Sequence, residues 1–228
     1  MGRKIFAGAR VFFIMTILLA GAAFAVDKQP ADRLMEAHYS MVGLRLGAWI
    51  AQTAAPKVTD ALIDADMPDA GFYTELFLDY RLVPVLMLEF SMGIASRGDA
   101  VIRYADDRYI GTINLYPLLF QLKIAPLAGR VRSVSPFIMG GGGVVWGRQN
   151  TDFVSSADPF YNPDIVNKTE SDFIGVIGGG VDIALAEQLG LNVTVKYHPI
   201  TFGNPLAGVD EYSGTAVSVG VAYFLHKK

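Results

Sequence analysis

The sequence contains no cysteine among its 228 residues. This absence excludes disulfide bonds, cysteine-ligated zinc, iron–sulfur clusters, thiol catalysis and a lipid anchor on an N-terminal cysteine. Charged residues are scarce, at 18%, and the formal net charge is −3, so nothing points to a nucleic-acid partner. Because 52% of the residues are hydrophobic, the chain is too apolar to be disordered. We therefore expect a folded protein without a cofactor.

Residues 1–25 have the three parts of a secretory signal peptide. Three basic residues precede an apolar stretch, and the small-residue site Ala23-Phe24-Ala25 follows it. An uncleaved membrane anchor is the alternative, but the uncharged run at 11–26 is short for a spanning helix. We predict cleavage after Ala25 and export, with residues 26–228 forming one mature domain.

The mature chain has a hydrophobic period of two. Apolar residues recur at every second position over segments of about ten residues, as in membrane-spanning β-strands. In the first segment Leu44 and Leu46 share one face, while Arg45 and Trp49 share the other. The fifth segment is apolar and glycine-rich on both faces, so its inward face stays open. The eight segments are 39–50, 72–81, 85–94, 109–124, 134–146, 173–184, 191–198 and 216–225.

The links between these segments alternate in length. Short links are expected at one end of the molecule and longer loops at the other, as in bacterial outer-membrane barrels. The pattern predicts an all-β fold, an eight-stranded antiparallel up-and-down transmembrane β-barrel, with both termini in the periplasm. The short links are 82–84, 126–133 and 185–190, and the longer ones are 51–71, 96–108, 147–172 and 199–212.

Side-chain polarity predicts which face of each strand meets lipid. A Lys or Arg facing lipid at mid-depth costs about 2–4 kcal/mol, so the faces that carry charges should point inward. A soluble lipocalin-like barrel is the alternative, since it would show the same alternation with its apolar faces inside. The lack of Lys, Glu and Asp on the apolar faces favours the membrane barrel. The polar residues predicted to face the lumen are Arg45, Glu75, Asp79, Arg81, Glu89, Lys123, Asp182, Lys196 and His198.

Those inward charges have two interpretations. Eight strands leave an interior just wide enough for side chains, so paired charges are expected to fill it. A polar conduction path is the less favoured alternative. The sequence offers no metal-binding pattern, because the acidic loops lack the spacing of a calcium-binding loop.

Several segments resemble a known group of proteins. The segments that carry the resemblance are 113–118, 135–143, 178–182 and 191–197, with their glycine and aromatic residues. The chain resembles the small outer-membrane β-barrels of Gram-negative bacteria, most of all the OmpW-type group and more distantly OmpA- and OmpX-type barrels. One departure is that Phe224 is followed by residues 225–228, whereas these families end on an aromatic residue.

The resemblance implies a passive role in the outer membrane. It implies passage of small hydrophobic molecules through the lumen and out laterally, as well as contact with outer-membrane lipid, lipopolysaccharide and the barrel-insertion machinery. On this hypothesis a small hydrophobic ligand would follow a route lined by inward-facing apolar residues. These residues are Met41, Trp49, Phe77, Met87 and Leu119.

Two other functions stay open. A surface adhesion barrel would act through the long loops 51–71 and 147–172. A lipid A acyl hydrolase would use His198 with a nearby serine such as Ser213, but residues 199–204 lack the serine that follows the histidine in that family. We therefore predict no catalytic residue.

Overall fold

The structure, a computed structural model, describes residues 38–226 except 53–62, 67, 105–106, 128–133, 156–166, 187 and 208. The predicted signal peptide lies outside the described residues. No helix in these ranges is long and apolar enough to cross a membrane. The strands are β1 (His38–Ala51), β2 (Ile63–Asp66), β3 (Ala70–Val83), β4 (Leu86–Tyr104), β5 (Asp107–Ile124), β6 (Val134–Ser155), β7 (Asn167–Ala184), β8 (Leu189–His198), β9 (Thr201–Leu206), β10 (Val209–Glu211) and β11 (Gly214–His226).

Eight of these strands form a closed wall. Each of β1, β3, β4, β5, β6, β7, β8 and β11 pairs antiparallel with the next, and β11 returns to pair with β1. Closure leaves no unpaired sheet edge, which a bilayer requires. The predicted eight-stranded up-and-down barrel is confirmed. We call the end with His38 and His226 the terminal end and the opposite end the loop end.

Several predicted loops are shorter than expected. Strand β4 runs to Tyr104 and β5 starts at Asp107, so the predicted link 96–108 is mostly strand. Strand β6 likewise runs to Ser155 and β7 starts at Asn167, which leaves much of the predicted loop 147–172 in the wall. The alternation of apolar residues marks only the part of a strand that faces lipid, so it ends before the strand does.

The structure settles the inward face of the fifth wall strand, β6. Phe137, Met139 and Val145 are buried in the interior, whereas Ile138 and Trp146 are exposed on the outer surface. The glycines between them are required by close strand approach. A Cβ at Gly143 would collide with the backbone oxygen of Leu118 on β5.

The interior consists of two apolar clusters separated by a layer of charged residues. The wall exposes residues such as Leu44, Leu76 and Phe173 on its outside, and the charged residues lie inside. The lower cluster, at the terminal end, contains Met41, Phe77, Met87, Ala125, Phe137, Met139, Ala184, Ala222 and Phe224. The upper cluster, toward the loop end, contains Trp49, Tyr73, Ala95, Ile113, Leu115, Leu119, Val145, Ile174, Val176, Ile200, Phe202, Leu206, Ala207, Val209, Tyr212 and Ala216.

Candidate functional site

The first part of the charged layer is a four-residue ion network that spans the lumen. Arg45 on β1 lies 2.7 Å from Glu75 on β3 and binds Glu89 on β4 through two guanidinium nitrogens at 2.7 and 2.9 Å. Lys196 on β8 donates to the same two carboxylates, at 2.7 Å each. All four side chains are excluded from solvent. Because β1 and β8 are not neighbours of β4, these contacts cross the barrel.

The second part of the layer lies around Lys123 on β5. Its Nζ is 2.8 Å from Asp79 and 2.7 Å from Asp182. Asn192 joins the two parts, because its amide nitrogen donates to Asp182 and its oxygen accepts from Arg45 Nε at 2.6 Å. Each of the three buried cations in these contacts therefore has two carboxylate partners, which offsets the cost of removing the charges from water.

The charged layer also rests on aromatic rings of the lower cluster. The Arg45 guanidinium lies 3.7 Å from the centre of the Phe77 ring, and Lys123 Nζ lies 3.9 Å from that of Phe137. A cation over an aromatic face is stabilised by the ring quadrupole, most strongly away from water. The layer is thus tied both across the lumen and downward, and it fills the cross-section of the barrel.

The predicted polar lumen residues divide into three groups in the structure. Seven lie together in the charged layer. His198 is buried instead in the upper part of the barrel, where its ring contacts Trp49, and Arg81 is half-buried near the terminal end. The predicted set of lumen residues lacks two partners of the network, Asn192 and Gln121, and the Gln121 amide donates to Glu89 at 3.3 Å. Both share strand parity with a predicted lumen residue, and that signal could have identified them. The seven are Arg45, Glu75, Asp79, Glu89, Lys123, Asp182 and Lys196.

The predicted apolar route is divided by the charged layer. Met41, Phe77 and Met87 belong to the lower cluster, whereas Trp49 and Leu119 belong to the upper one. The five residues therefore do not form one apolar cluster, and the hydrophobic route that they were predicted to line stays a prediction. The sequence gives the inward face of each residue but not its height in the barrel, which depends on strand stagger.

The loop end of the interior is covered by the hairpin of β9 and β10, which we call the cap. Phe202, Leu206 and Tyr212 are buried in the upper cluster. Tyr212 donates to the backbone oxygen of Leu206 at 2.6 Å, and burial raises the pKa of Tyr212, so it stays a donor. A Cβ at Gly147 would lie 2.5 Å from Leu206 Cδ1, so this glycine makes room for the cap.

The wall is interrupted between β4 and β5, at a place we call the lateral break. The ladder pairs Met92 with Leu118 and then Ala95 with Leu115, so Gly93 opposite Pro117 and Ile94 opposite Tyr116 are skipped. Proline has no N–H and cannot donate to a ladder. A cavity of about 370 Å³ opens here, lined by Leu44, Thr74, Glu75, Leu76, Met92, Gly93, Ile94, Tyr116, Pro117, Leu118 and Trp146.

The contacts of His198 differ from those of a hydrolase base. Its ring centre lies 4.9 Å from that of Trp49 and 6.1 Å from that of Tyr73. Ser213 accepts a hydrogen bond from the Ile200 amide at 3.0 Å. Within the described residues, His198 therefore contacts aromatic rings, whereas Ser213 binds the backbone of Ile200, which lies next to the cap.

A closed wall with an apolar exterior and an ionised, paired interior defines an outer-membrane β-barrel protein. The sequence matches the family described as outer membrane protein beta-barrel domain over residues 16–224, and the chain belongs to that family. The predicted type of protein and its location in the outer membrane are confirmed. A comparison with curated proteins finds no significant match.

One solved structure shows the same fold, and others are less similar. OprG from Pseudomonas aeruginosa has a TM-score of 0.53 and 17% identity, covering 83% of this chain and 98% of that chain. Ail of Yersinia pestis, solved with the heparin analogue sucrose octasulfate, has a TM-score of 0.49 and 11% identity, covering 82% and 99%. Neisserial surface protein A has a TM-score of 0.48 and 11% identity, covering 82% and 97%. At these identities the likeness to OprG shows the fold alone.

Proposed function

We propose that this protein lets small hydrophobic molecules pass from the loop end of the barrel into the bilayer through the lateral break. The observation that carries the proposal is the interrupted ladder at Pro117, with its cavity of about 370 Å³. Most of the cavity lining is apolar, and it includes Trp146, which is exposed on the outer surface. The proposed role is transfer without a catalytic step.

Passage along the barrel axis is disfavoured by the charged layer. A hydrophobic molecule moving toward the terminal end would have to separate Arg45 and Lys196 from Glu75 and Glu89, all within 2.7 Å contacts. Leaving any of these charges buried and unpaired costs about 3–5 kcal/mol. The upper cluster above this layer is apolar. An apolar molecule there can leave at lower cost through the wall.

The wall is weakest where proline removes a donor. Other strand pairs are held by hydrogen bonds that a bilayer makes expensive to break, because lipid offers no replacement partner. Pro117 has no N–H for such a bond, and the ladder with β4 is skipped at Gly93 opposite it, where a Cβ would lie 3.4 Å from the Pro117 ring. Separating the strands there therefore breaks fewer hydrogen bonds than along a continuous ladder without proline.

The proposed partners follow from this location. Outer-membrane lipid and lipopolysaccharide would surround the apolar wall, and a small hydrophobic ligand would occupy the lateral break. The barrel-insertion machinery would act on the last strand, β11, which pairs with β1 to close the barrel.

Pro117→Ala tests the proposal. The new N–H can complete the ladder with β4, so the rate of uptake of a hydrophobic fluorescent probe into proteoliposomes should fall several-fold. Pro136→Ala is the matched control, because Pro136 lies in a wall strand whose register with Val181 is continuous. Its uptake rate should equal that of the parent protein. Equal rates for both variants would place the route elsewhere, and uptake that does not depend on protein would reject the function.

A further inference from the structure

Three polar aromatic side chains meet inside the upper cluster, and we call them the aromatic trio. They are Trp49 on β1, Tyr73 on β3 and His198 on β8, and all three are completely buried. Their ring centres lie 4.9 Å apart for Trp49 and His198, 6.0 Å for Trp49 and Tyr73, and 6.1 Å for Tyr73 and His198. The rings thus form one group within the barrel.

The polar atoms of the trio make no hydrogen bond of standard geometry with the described residues. They are Trp49 Nε1, the Tyr73 hydroxyl and both ring nitrogens of His198, and the Tyr73 hydroxyl lies close enough to Glu75 to interact with its carboxylate. Burying such atoms unpaired costs stability, and native proteins pair most of them with protein groups, water or a ligand. Four of them in one group contrast with the charged layer below, where Arg45 and Lys196 are fully paired. The trio is therefore equipped to bind a polar group.

The chemistry of the trio selects a neutral group. Trp49 offers only a donor, Tyr73 a donor and an acceptor, and neutral His198 one of each. A hydroxyl matches this set, because its oxygen accepts from an N–H while its proton is donated to the free imidazole nitrogen. A carboxylate is disfavoured, since it has no proton to donate and Glu75 lies two residues from Tyr73 on the same inward face.

The side chains around the trio favour a ligand whose remaining part is apolar. Ile113, Leu115 and Val145 are buried in the same cluster, and Phe202 and Tyr212 of the cap region belong to it as well. A polar group held among apolar side chains is typical of small-molecule sites, where few polar contacts fix the orientation.

We propose that the aromatic trio binds the hydroxyl group of a small apolar alcohol in the upper part of the barrel. The inference deepens the proposed function and rests on it for the route by which the alcohol would leave. It assigns a ligand class, a neutral alcohol, and three positioning contacts. The cap must move aside for the alcohol to reach the trio.

The two tryptophans of the chain allow a direct test. Trp146→Phe leaves Trp49 as the only tryptophan, in the trio, and Trp49→Phe leaves Trp146, at the lateral break. The probes are bromohexanol and bromohexane, whose bromine quenches tryptophan fluorescence on contact. Quenching of a tryptophan octyl ester dissolved in the same membranes calibrates how much of each probe the membrane phase contains.

On that calibrated scale, bromohexanol should quench Trp49 at a concentration about tenfold lower than bromohexane, the ratio given by one net hydrogen bond. Adding Tyr73→Phe or His198→Phe to Trp146→Phe should reduce this preference. Folding of each variant is checked by the shift in gel mobility on heating, and Tyr73→Phe keeps the ring. Equal quenching of Trp49 by the two probes would show that the trio holds water only and would overturn the inference.

The measurement separates this inference from the proposed function. It records binding at equilibrium, whereas the Pro117→Ala experiment records uptake. Selective quenching of Trp49 without protein-dependent uptake would leave the alcohol site standing and reject the route. Uptake that falls in Pro117→Ala, with no preference for bromohexanol at Trp49, would keep the route and overturn the alcohol site.

Discussion

At the scale of single residues, Arg45 makes three hydrogen bonds to buried carboxylates, one to Glu75 and two to Glu89. It also donates to Asn192 Oδ1 at 2.6 Å, and its guanidinium lies over the Phe77 ring. A buried ion pair contributes little net stability against an apolar replacement, but removing one partner leaves the other charge unpaired. Arg45 therefore matters because its absence would leave two buried carboxylates sharing a single cation, Lys196.

Arg45→Ala should lower the free energy of unfolding by about 3–5 kcal/mol, because Glu75 and Glu89 would lose a buried partner. The measurement is urea unfolding in detergent micelles, followed by fluorescence. Lys168→Ala is the control, since its side chain is 39% exposed and lies 3.6 Å from Glu170. The control should cost about 1 kcal/mol or less. Similar losses in the two variants would show that the charged layer is not a desolvated network.

The sequence predicts the inward direction of Arg45, Glu75 and Lys196 because a strand alternates its side chains strictly. It does not predict that they meet. Contacts across the lumen depend on strand stagger, which the alternation leaves free. The same limit explains His198, which shares parity with Lys196 but lies one pleat nearer the loop end and joins Trp49 and Tyr73 instead.

At the scale of elements, the cap is the feature that the sequence did not reveal. Its strands β9 and β10 contain six and three residues, too few for a period of two to be recognised. The predicted link 199–212 therefore looked like a loop. Apolar packing holds the cap to the upper cluster. Two hydrogen bonds join the cap to β7: Lys168 of β7 donates to the Pro205 backbone oxygen, and Asn204 of the cap donates to Glu170 of β7.

Replacing residues 201–211 with a Gly-Ser linker of equal length should expose Trp49 to water while the wall stays folded. In the Trp146→Phe background, quenching by acrylamide should rise several-fold, because Phe202 and Leu206 no longer cover the upper cluster. The double variant Lys168→Ala, Asn204→Ala is the control and should change quenching little, since it removes only polar contacts of the cap. Unchanged quenching in the linker variant would mean that something else closes the loop end.

The sequence predicts some portions of the wall strands better than others. Their central portions are predicted well, because lipid demands an apolar outer face. The portions of the strands beyond the bilayer are predicted poorly, because water meets their outer face as well and that face need not be apolar. Strand β4 illustrates this: a register shift lies between Ser96 and Asp99, where the predicted strand had already ended.

At the scale of the whole molecule, the fold follows from the sequence because a bilayer permits few solutions. Backbone groups in lipid must be paired within the protein, so strands of this length and pattern must close into a barrel. The lateral break could not be predicted in the same way. Pro117 interrupts the wall only because it lies opposite Gly93, and that pairing belongs to the register of β4 and β5.

The central claim is that the apolar surface faces lipid and the ionised residues lie inside. Trp146 is 39% exposed on the outer surface, whereas Trp49 is 0% exposed in the interior. The most direct measurement reconstitutes Trp49→Phe and Trp146→Phe separately in bilayers whose acyl chains carry bromine. We expect strong quenching of Trp146 in the first variant and little quenching of Trp49 in the second. Quenching of Trp49 that equals or exceeds that of Trp146 would contradict the account.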